Sequence, residues 1–595
     1  MSNSSPGRNA LCPCGSGKKF KRCCGLSSPP REKSDRGMAQ ALAHLQNGEL
    51  SLAEILLVDL VNAKPRDATA RYLLGYAALQ SGRHAEAVVS MRHAIELGLA
   101  DPAAFYHLGC ALSFLGHFQD AAAAFKQALT LKPDLVAAVT HLANCKFELQ
   151  EFAEAERLYR QTLAREPDNF VANHNLGQVF YLTQRIAEAI AYFEHAADAA
   201  PTVAEFRASL ATMQEADNQL DAAEASARIA LSSDPHNTSA SIALARVLRR
   251  KDRPDEALAV LDTADLQASL TWSQIGFWSE RGQALEKLGR FSEAFEAYAH
   301  SKTRLAETRA PYDGGARTRH LMAREREVVT PGRVANWTVP FTPAQPMPVF
   351  IVGFPRSGTT LLEQMLGCHP SIVACGELQT VLENPESSDF LDALDALDDD
   401  TRLNTVAALR QKYLAVLHGG AKPDGAVRYA TDKLPLNMMR IGLIRLLFPE
   451  AKIIHVLRHP LDAVLSAYFT PFLFGNEWSM RLLDTAQMFV QTWHHVEAMK
   501  TLPGLRFTRV RYEDLVTAPE RALRQILEFL DLPWSAACLD FHKSTRVART
   551  ASYAQVTRTL YQTSNRRYRN FIDCLDEDVL EAIRPVVAAA GYVLE

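Results

Sequence analysis

Between about Gly37 and Arg304 the chain repeats itself every 34 residues. Gly75, Gly109, Ala143, Gly177, Ala211 and Ala245 follow that step, as do Ala87, Ala121, Ala155, Ala189, Ala223 and Ala257. Pro133, Pro167, Pro201 and Pro235 mark the same interval. Small residues in two successive helical segments let a hairpin close tightly, and a proline stops the second helix. Ala41 and Ala53 extend the pattern backward, while Gly282 and Ala294 keep its internal 12-residue spacing after a three-residue slip. That makes about eight units over residues 37–304. Units this small cannot bury an apolar face alone, so they must stack into an all-α solenoid.

The pattern resembles the tetratricopeptide repeat. The resemblance implies a superhelix with a groove lined by the first helix of each pair. In this register Tyr72, Tyr76, Tyr106, Asn144, His174, Gln178 and Tyr181 are expected to face the groove. That surface is neutral, aromatic and amide-rich, and it lacks the basic pairs that clamp a terminal carboxylate. A protein or peptide partner is one use of such a surface; intramolecular packing or self-association is the other.

Residues 305–346 carry Pro311, Pro331, Pro340, Pro343 and Pro346 and read as a linker. From residue 347 to 595 strand-like and helix-like runs alternate, which predicts an α/β domain with a parallel sheet. Its chemical centre is Val349-Phe-Ile-Val-Gly-Phe-Pro-Arg-Ser-Gly-Thr-Thr-Leu-Leu362. Four apolar residues form a buried strand, Gly353 to Gly358 a turn, and Thr359 and Thr360 start a helix. Such a turn aims backbone N–H groups and the positive end of the helix dipole at one point, which suits an anion. Gly353 and Gly358 have the spacing of a nucleotide triphosphate loop, but Thr359 stands where its lysine belongs. The positive charge lies inside the turn, at Arg356.

Three further strand ends are expected beside this turn. Tyr429-Ala-Thr-Asp-Lys433 places a lysine where it can neutralise a leaving group. Ala451-Lys-Ile-Ile-His-Val-Leu457 ends in Arg458, with Ser466 two helical turns later; an arginine fork suits a phosphate. Arg509-Val-Arg-Tyr512 is the third.

These four stretches, in this order, resemble the sulfotransferases, and most of all the protein-tyrosine and related bacterial enzymes with attached repeats. The resemblance implies a P-loop-like sulfotransferase domain using 3′-phosphoadenosine-5′-phosphosulfate (PAPS). It implies a 5′-phosphosulfate loop of Arg356, Ser357, Gly358, Thr359 and Thr360, with Arg356 and Lys433 catalytic. It also implies a 3′-phosphate site at Arg458 and Ser466, Tyr512 near the nucleotide, and a late covering loop with Ser552 and Arg558. Many relatives carry a glycine and a tryptophan near Ser564, where this chain has Asn565-Arg-Arg-Tyr568. Lys433 occupies the position of the histidine base of small-molecule sulfotransferases. The base must therefore come from elsewhere; the protein-tyrosine enzymes place a catalytic glutamate after a similar Cys-Gly, so the resemblance implies Glu377, after Cys375-Gly376, with Asp432 in reserve. The implied reaction moves a sulfuryl group to a hydroxyl (or amine) of a protein, peptide or other acceptor. Two alternatives remain at this stage: a P-loop kinase or NTPase, and a repeat scaffold with an inactive transferase domain.

Of ten cysteines, Cys12, Cys14, Cys23 and Cys24 crowd into one short stretch. Four thiols so spaced can close around one tetrahedral ion, and zinc in such a closed site is structural. Residues 7–25 resemble the SEC-C motif, which implies a small N-terminal zinc knuckle; that motif often ends Cys-His, where this one ends Cys23-Cys24. Ser27 to Asp35 reads as a flexible connection. Net charge is −4, which does not point to nucleic acid. No apolar run is long enough to span a membrane and the first residues lack a signal-peptide core, so a cytoplasmic protein is expected.

Overall fold

In the computed structural model of the chain, the described residues are 10, 19 and 30–594, apart from 184, 268, 309–311, 338–340, 379–392, 421–426, 473–475, 544–559 and 561–563. The cysteines expected to hold zinc, Cys12, Cys14, Cys23 and Cys24, lie outside them, as do Ser552 and Arg558. The chain forms two compact units, residues 1–201 and 202–595.

The first unit contains five helical hairpins: Pro30–Gln46 with Leu50–Ala63, Ala68–Gln80 with His84–Glu96, Pro102–Phe114 with Phe118–Leu131, Val136–Glu148 with Phe152–Leu163, and Phe170–Leu182 with Ile186–Ala199. The small residues of the 34-residue pattern close these pairs. A methyl group on Gly75 would sit 2.8 Å from Met91, one on Gly109 2.6 Å from the Phe125 ring, and one on Gly177 3.2 Å from Phe193. Where Ala143 replaces glycine, the residue sixteen further on is Tyr159, also fully buried. The first helix begins at Pro30, inside the stretch read as a flexible connection; a proline at the first helical position forfeits no hydrogen bond.

Of the side chains expected along the groove, Tyr181 is exposed and the others are half-buried, bonded within a helix or to the neighbouring repeat. Tyr72 OH pairs with His107 Nδ1 at 2.9 Å, Asn175 donates to Asn144 Oδ1 at 2.9 Å, and Gln178 pairs with His174 at 2.9 Å. Burial lowers the His174 pKa to about 4, so this surface stays neutral.

The second unit opens with three more hairpins, Ala204–Ala216 with Leu220–Ser233, Thr238–Arg250 with Pro254–Leu261, and Thr271–Lys287 with Phe291–Glu307. Five parallel strands follow: β1 Met347–Val352, β2 Ile372–Ala374, β3 Tyr429–Asp432, β4 Lys452–Leu457 and β5 Arg506–Arg511. Their order is β2-β3-β1-β4-β5. Residues of β1 alternate between two apolar cores, which is why it reads as a continuous hydrophobic run. Val349 and Ile351 face helices Thr359–Leu366 and Pro519–Phe529. Phe350 and Val352 face Ile441–Leu447, Pro460–Phe469, Leu482–Met499 and Glu577–Ala589.

The second core takes in part of what reads as a linker. Residues 316–328 and 331–337 are helices, and Met322, Val328, Val334 and Trp337 are buried in it. Glu325, fully buried, lies 2.9 Å from His495 and accepts the Leu443 amide at 2.9 Å, tying this segment to two helices of the sheet layer. The last repeat hairpin joins the same core through Tyr298, whose ring stacks on Phe469 at 4.1 Å. No helix among the described residues is long and apolar enough to cross a membrane.

Candidate active site

All five strands end at one edge of the sheet, and the order reverses direction at β1, which opens a crevice beside its carboxyl end. The register is Phe350 opposite Asp432 and Val352 opposite His455. It brings the turn after β1, Lys433 after β3 and Arg458 after β4 to this edge. Glu377 and Tyr512 arrive there from β2 and β5.

The turn itself has two left-handed residues, Arg356 at φ 70° and Gly358 at φ 102°. Gly358 is required twice over: the backbone angle favours glycine, and a Cβ there would lie 2.4 Å from the Tyr512 ring. Tyr512 therefore packs against the turn, and the Arg458 guanidinium lies over its ring, 4.9 Å from the centroid. Arg458 donates to the Arg356 carbonyl at 3.0 Å and to the Ser564 carbonyl at 2.6 Å, and Arg356 Nε reaches Ser466 Oγ at 3.4 Å. The structure thus brings Arg356, Ser357, Gly358, Thr359, Thr360, Arg458, Ser466 and Tyr512 to one end of the sheet. Two buried polar atoms in this group, Ser357 Oγ and Arg458 Nε, have no hydrogen-bond partner among the described residues. A buried donor left unpaired costs ~1–3 kcal/mol, which an anion seated on the turn removes.

On the other side of β1, Lys433 Nζ pairs with Glu377 Oε1 at 2.5 Å. The lysine side chain is 1% exposed and the glutamate 39%. The Lys433 amide also donates to the Gly376 carbonyl at 2.8 Å. Gly376 sits at φ 78°, and its amide donates to Glu363 Oε1 at 2.8 Å. The same oxygen accepts Thr431 Oγ1 at 2.9 Å. Glu363, buried on the helix after the turn, thereby fixes the approach of both Glu377 and Lys433. It is a site residue that the motifs do not reveal. Its one sequence signal is a carboxylate on an otherwise uncharged helix.

Asp432 does not serve as a reserve base. It is fully buried, and its Oδ2 accepts Tyr413 OH at 2.7 Å and Asn437 Nδ2 at 3.0 Å. Burial raises its pKa to about 7, partly offset by these hydrogen bonds. His455 is also unsuited to proton transfer. It lies buried in β4 and accepts Arg509 Nε at 3.0 Å; burial, with the Arg509 charge, lowers its pKa to about 3.

Beyond β4, Asp462 accepts the amides of Arg566 and Tyr568, each at 2.8 Å, and so anchors the segment that carries Ser564. Glu513 accepts the His459 amide at 2.9 Å and Tyr592 OH at 2.8 Å, joining the ends of β4 and β5. The result is a cleft with three cations at strand ends, Arg356, Lys433 and Arg458, and one carboxylate beside the lysine.

The sulfotransferase family profile matches residues 348–536. A SEC-C motif matches 8–26, and tetratricopeptide repeats match 38–98, 115–176, 147–213 and 214–271. An uncharacterized protein of Aquifex aeolicus is 32% identical over 341 residues, covering 53% of this chain and 42% of that protein. A protein-tyrosine sulfotransferase of Drosophila melanogaster is 29% identical over 208 residues, 32% of this chain and 39% of its own length. Protein-tyrosine sulfotransferase 1 of Danio rerio is 28% identical over 287 residues, 43% of this chain and 76% of its own. The chain spans less than half the length of the first two of these relatives. Residues 348–536 thus match the sulfotransferase family, in a chain that also matches tetratricopeptide repeats and a SEC-C motif.

Proposed function

We propose that this chain transfers a sulfuryl group from PAPS to a hydroxyl (or amine) of a protein or peptide acceptor. The observation that carries this reading is the anion-ready turn: Arg356 inside it, and Ser357 Oγ and Arg458 Nε buried around it without a hydrogen-bond partner among the described residues. In the proposed step the sulfur–oxygen bond to the 5′-phosphate breaks while a bond forms between sulfur and the acceptor oxygen. The turn and Arg356 hold the phosphosulfate, Arg458 and Ser466 the 3′-phosphate. Lys433 neutralises the charge growing on the departing phosphate oxygen. Glu377 takes the acceptor's proton, and adenosine 3′,5′-bisphosphate leaves. The carboxylate suits this role because it is the solvent-facing member of its pair, open to an incoming acceptor.

The repeats are read as the recruiting surface for a polypeptide acceptor or partner, which fits their neutral, aromatic side chains. Four cysteines at residues 12–24 are read as the ligands of one structural zinc. A cytoplasmic setting fits the unpaired thiols Cys110, Cys145 and Cys538. Nucleotide preference tests the catalytic reading. PAPS or the bisphosphate should raise the unfolding temperature of the full chain, and ATP with magnesium should not. The reverse preference would assign the turn to a kinase or NTPase.

A further inference from the structure

We infer that the last repeat hairpin is part of the donor site, and that Glu286 on the helix Thr271–Lys287 is a positioning residue for the 3′-phosphate. The inference rests on reading Arg458 as the phosphate-binding arginine.

The contacts form a continuous path within the second unit. Arg458 Nη2 donates to the Ser564 carbonyl at 2.6 Å. Three residues on, Arg567 pairs with Glu286 in a two-pronged contact, Nε to Oε1 at 2.5 Å and Nη2 to Oε2. Between them, Arg566 is held at φ 57° with its amide on Asp462. Glu286 Oε2 also accepts Tyr298 OH at 2.9 Å, so both helices of the hairpin take part. The Arg567 guanidinium lies 5.0 Å from the Phe469 ring centroid and 5.7 Å from that of Phe571.

An arginine enclosed by aromatic rings depends on its counter-charge, because a guanidinium stripped of water and partner does not stay buried. Without Glu286 the Arg567 side chain must turn toward water, and the short run Ser564–Tyr568 must move with it. Asp462 holds the amides on either side of Arg567 and adds its charge from a distance, but the direct two-pronged contact to the guanidinium comes from Glu286. The Ser564 carbonyl is the part of this run that touches Arg458, so its displacement changes the direction in which Arg458 presents its donors. The effect falls chiefly on the 3′-phosphate end: the turn meets this path through Arg458 Nη1, the prong that does not touch Ser564, and Lys433 is held by Glu377 and Gly376.

The test uses the full chain and two probes, adenosine 3′,5′-bisphosphate and adenosine 5′-monophosphate, titrated by calorimetry. Glu286→Gln should weaken bisphosphate binding about tenfold, in the range for residues that act through a neighbour, and leave monophosphate binding unchanged. The charge swap Glu286→Arg with Arg567→Glu should recover most of the loss. Glu286→Asp keeps the charge but is one methylene too short to reach Arg567 from the same backbone, and should give the same discrimination at smaller size. Unchanged bisphosphate affinity in Glu286→Gln, or equal weakening of both nucleotides with no recovery in the swap, would overturn the inference while leaving the donor reading intact. A wild-type chain that binds neither nucleotide would overturn the donor reading and this inference with it.

Discussion

Replacing Glu377 by glutamine separates chemistry from folding in this site. The carboxylate touches Lys433 at 2.5 Å, yet the loop that carries it is held by other bonds. The Gly376 amide lies on Glu363 and the Gly376 carbonyl accepts the Lys433 amide, each at 2.8 Å. Glutamine preserves the shape and an acceptor oxygen, so Lys433 keeps a hydrogen bond and loses a counter-charge. Breaking a fully buried pair costs ~3–5 kcal/mol, and an exposed pair is worth ~0–1 kcal/mol. Here one member is enclosed and the other is 39% exposed. We therefore expect a stability loss between those limits, ~1–2 kcal/mol. Losing a general base slows a reaction by about 10²–10⁴-fold, which is ~3–5 kcal/mol of barrier. The variant should thus be folded, loaded with donor and slow. Single-turnover transfer from saturating labelled PAPS measures the chemical step, and calorimetry with the bisphosphate checks the donor site in parallel. Turnover within tenfold of wild type at unchanged bisphosphate affinity would refute the assignment of Glu377 as the base.

Three further outcomes are expected. Arg458→Ala should weaken bisphosphate binding by ~2–5 kcal/mol, the cost of truncating a desolvated charged contact; calorimetry with equal affinities would remove Arg458 from the site. Asp432 has its folded pKa raised to about 7 from 3.8, so its contribution to stability is fully present below pH 4 and lost as pH rises to 7. That loss is roughly 4 kcal/mol, and urea unfolding of wild type against Asp432→Asn should show the gap between them change by that order across this range; a constant gap contradicts it. Metal analysis of the full chain should find one zinc, and a chain lacking residues 1–29 should lose it while keeping sulfuryl transfer; loss of transfer would contradict an accessory role.

The solenoid was legible because its signal is local. The 34-residue step places Gly109 against Phe125 within one hairpin, and both residues lie close in sequence. The strand-end cations were legible for a similar reason, since each follows its own apolar run. What escaped was contact between distant segments. Glu286 and Arg567 are 281 residues apart, and nothing in either neighbourhood announces the other. Glu363 looks like a surface glutamate until the Gly376 and Thr431 donors close on it. The prolines between residues 311 and 348 read as a linker, yet Pro331 opens a helix and Trp337 ends it in the core. Asp432 sat next to the right lysine, but strand alternation turns its side chain inward, to Tyr413 and Asn437.

The central claim is sulfuryl transfer from PAPS, and it has a direct test. The full chain is incubated with PAPS labelled at sulfur and an extract of the cells that carry it, and label is followed into polypeptide resolved by denaturing gel electrophoresis. The account predicts labelled polypeptide that depends on the chain, with bisphosphate released in equal amount and both lost in Lys433→Ala. Bisphosphate-free reactions, or label that appears equally with Lys433→Ala, would contradict it.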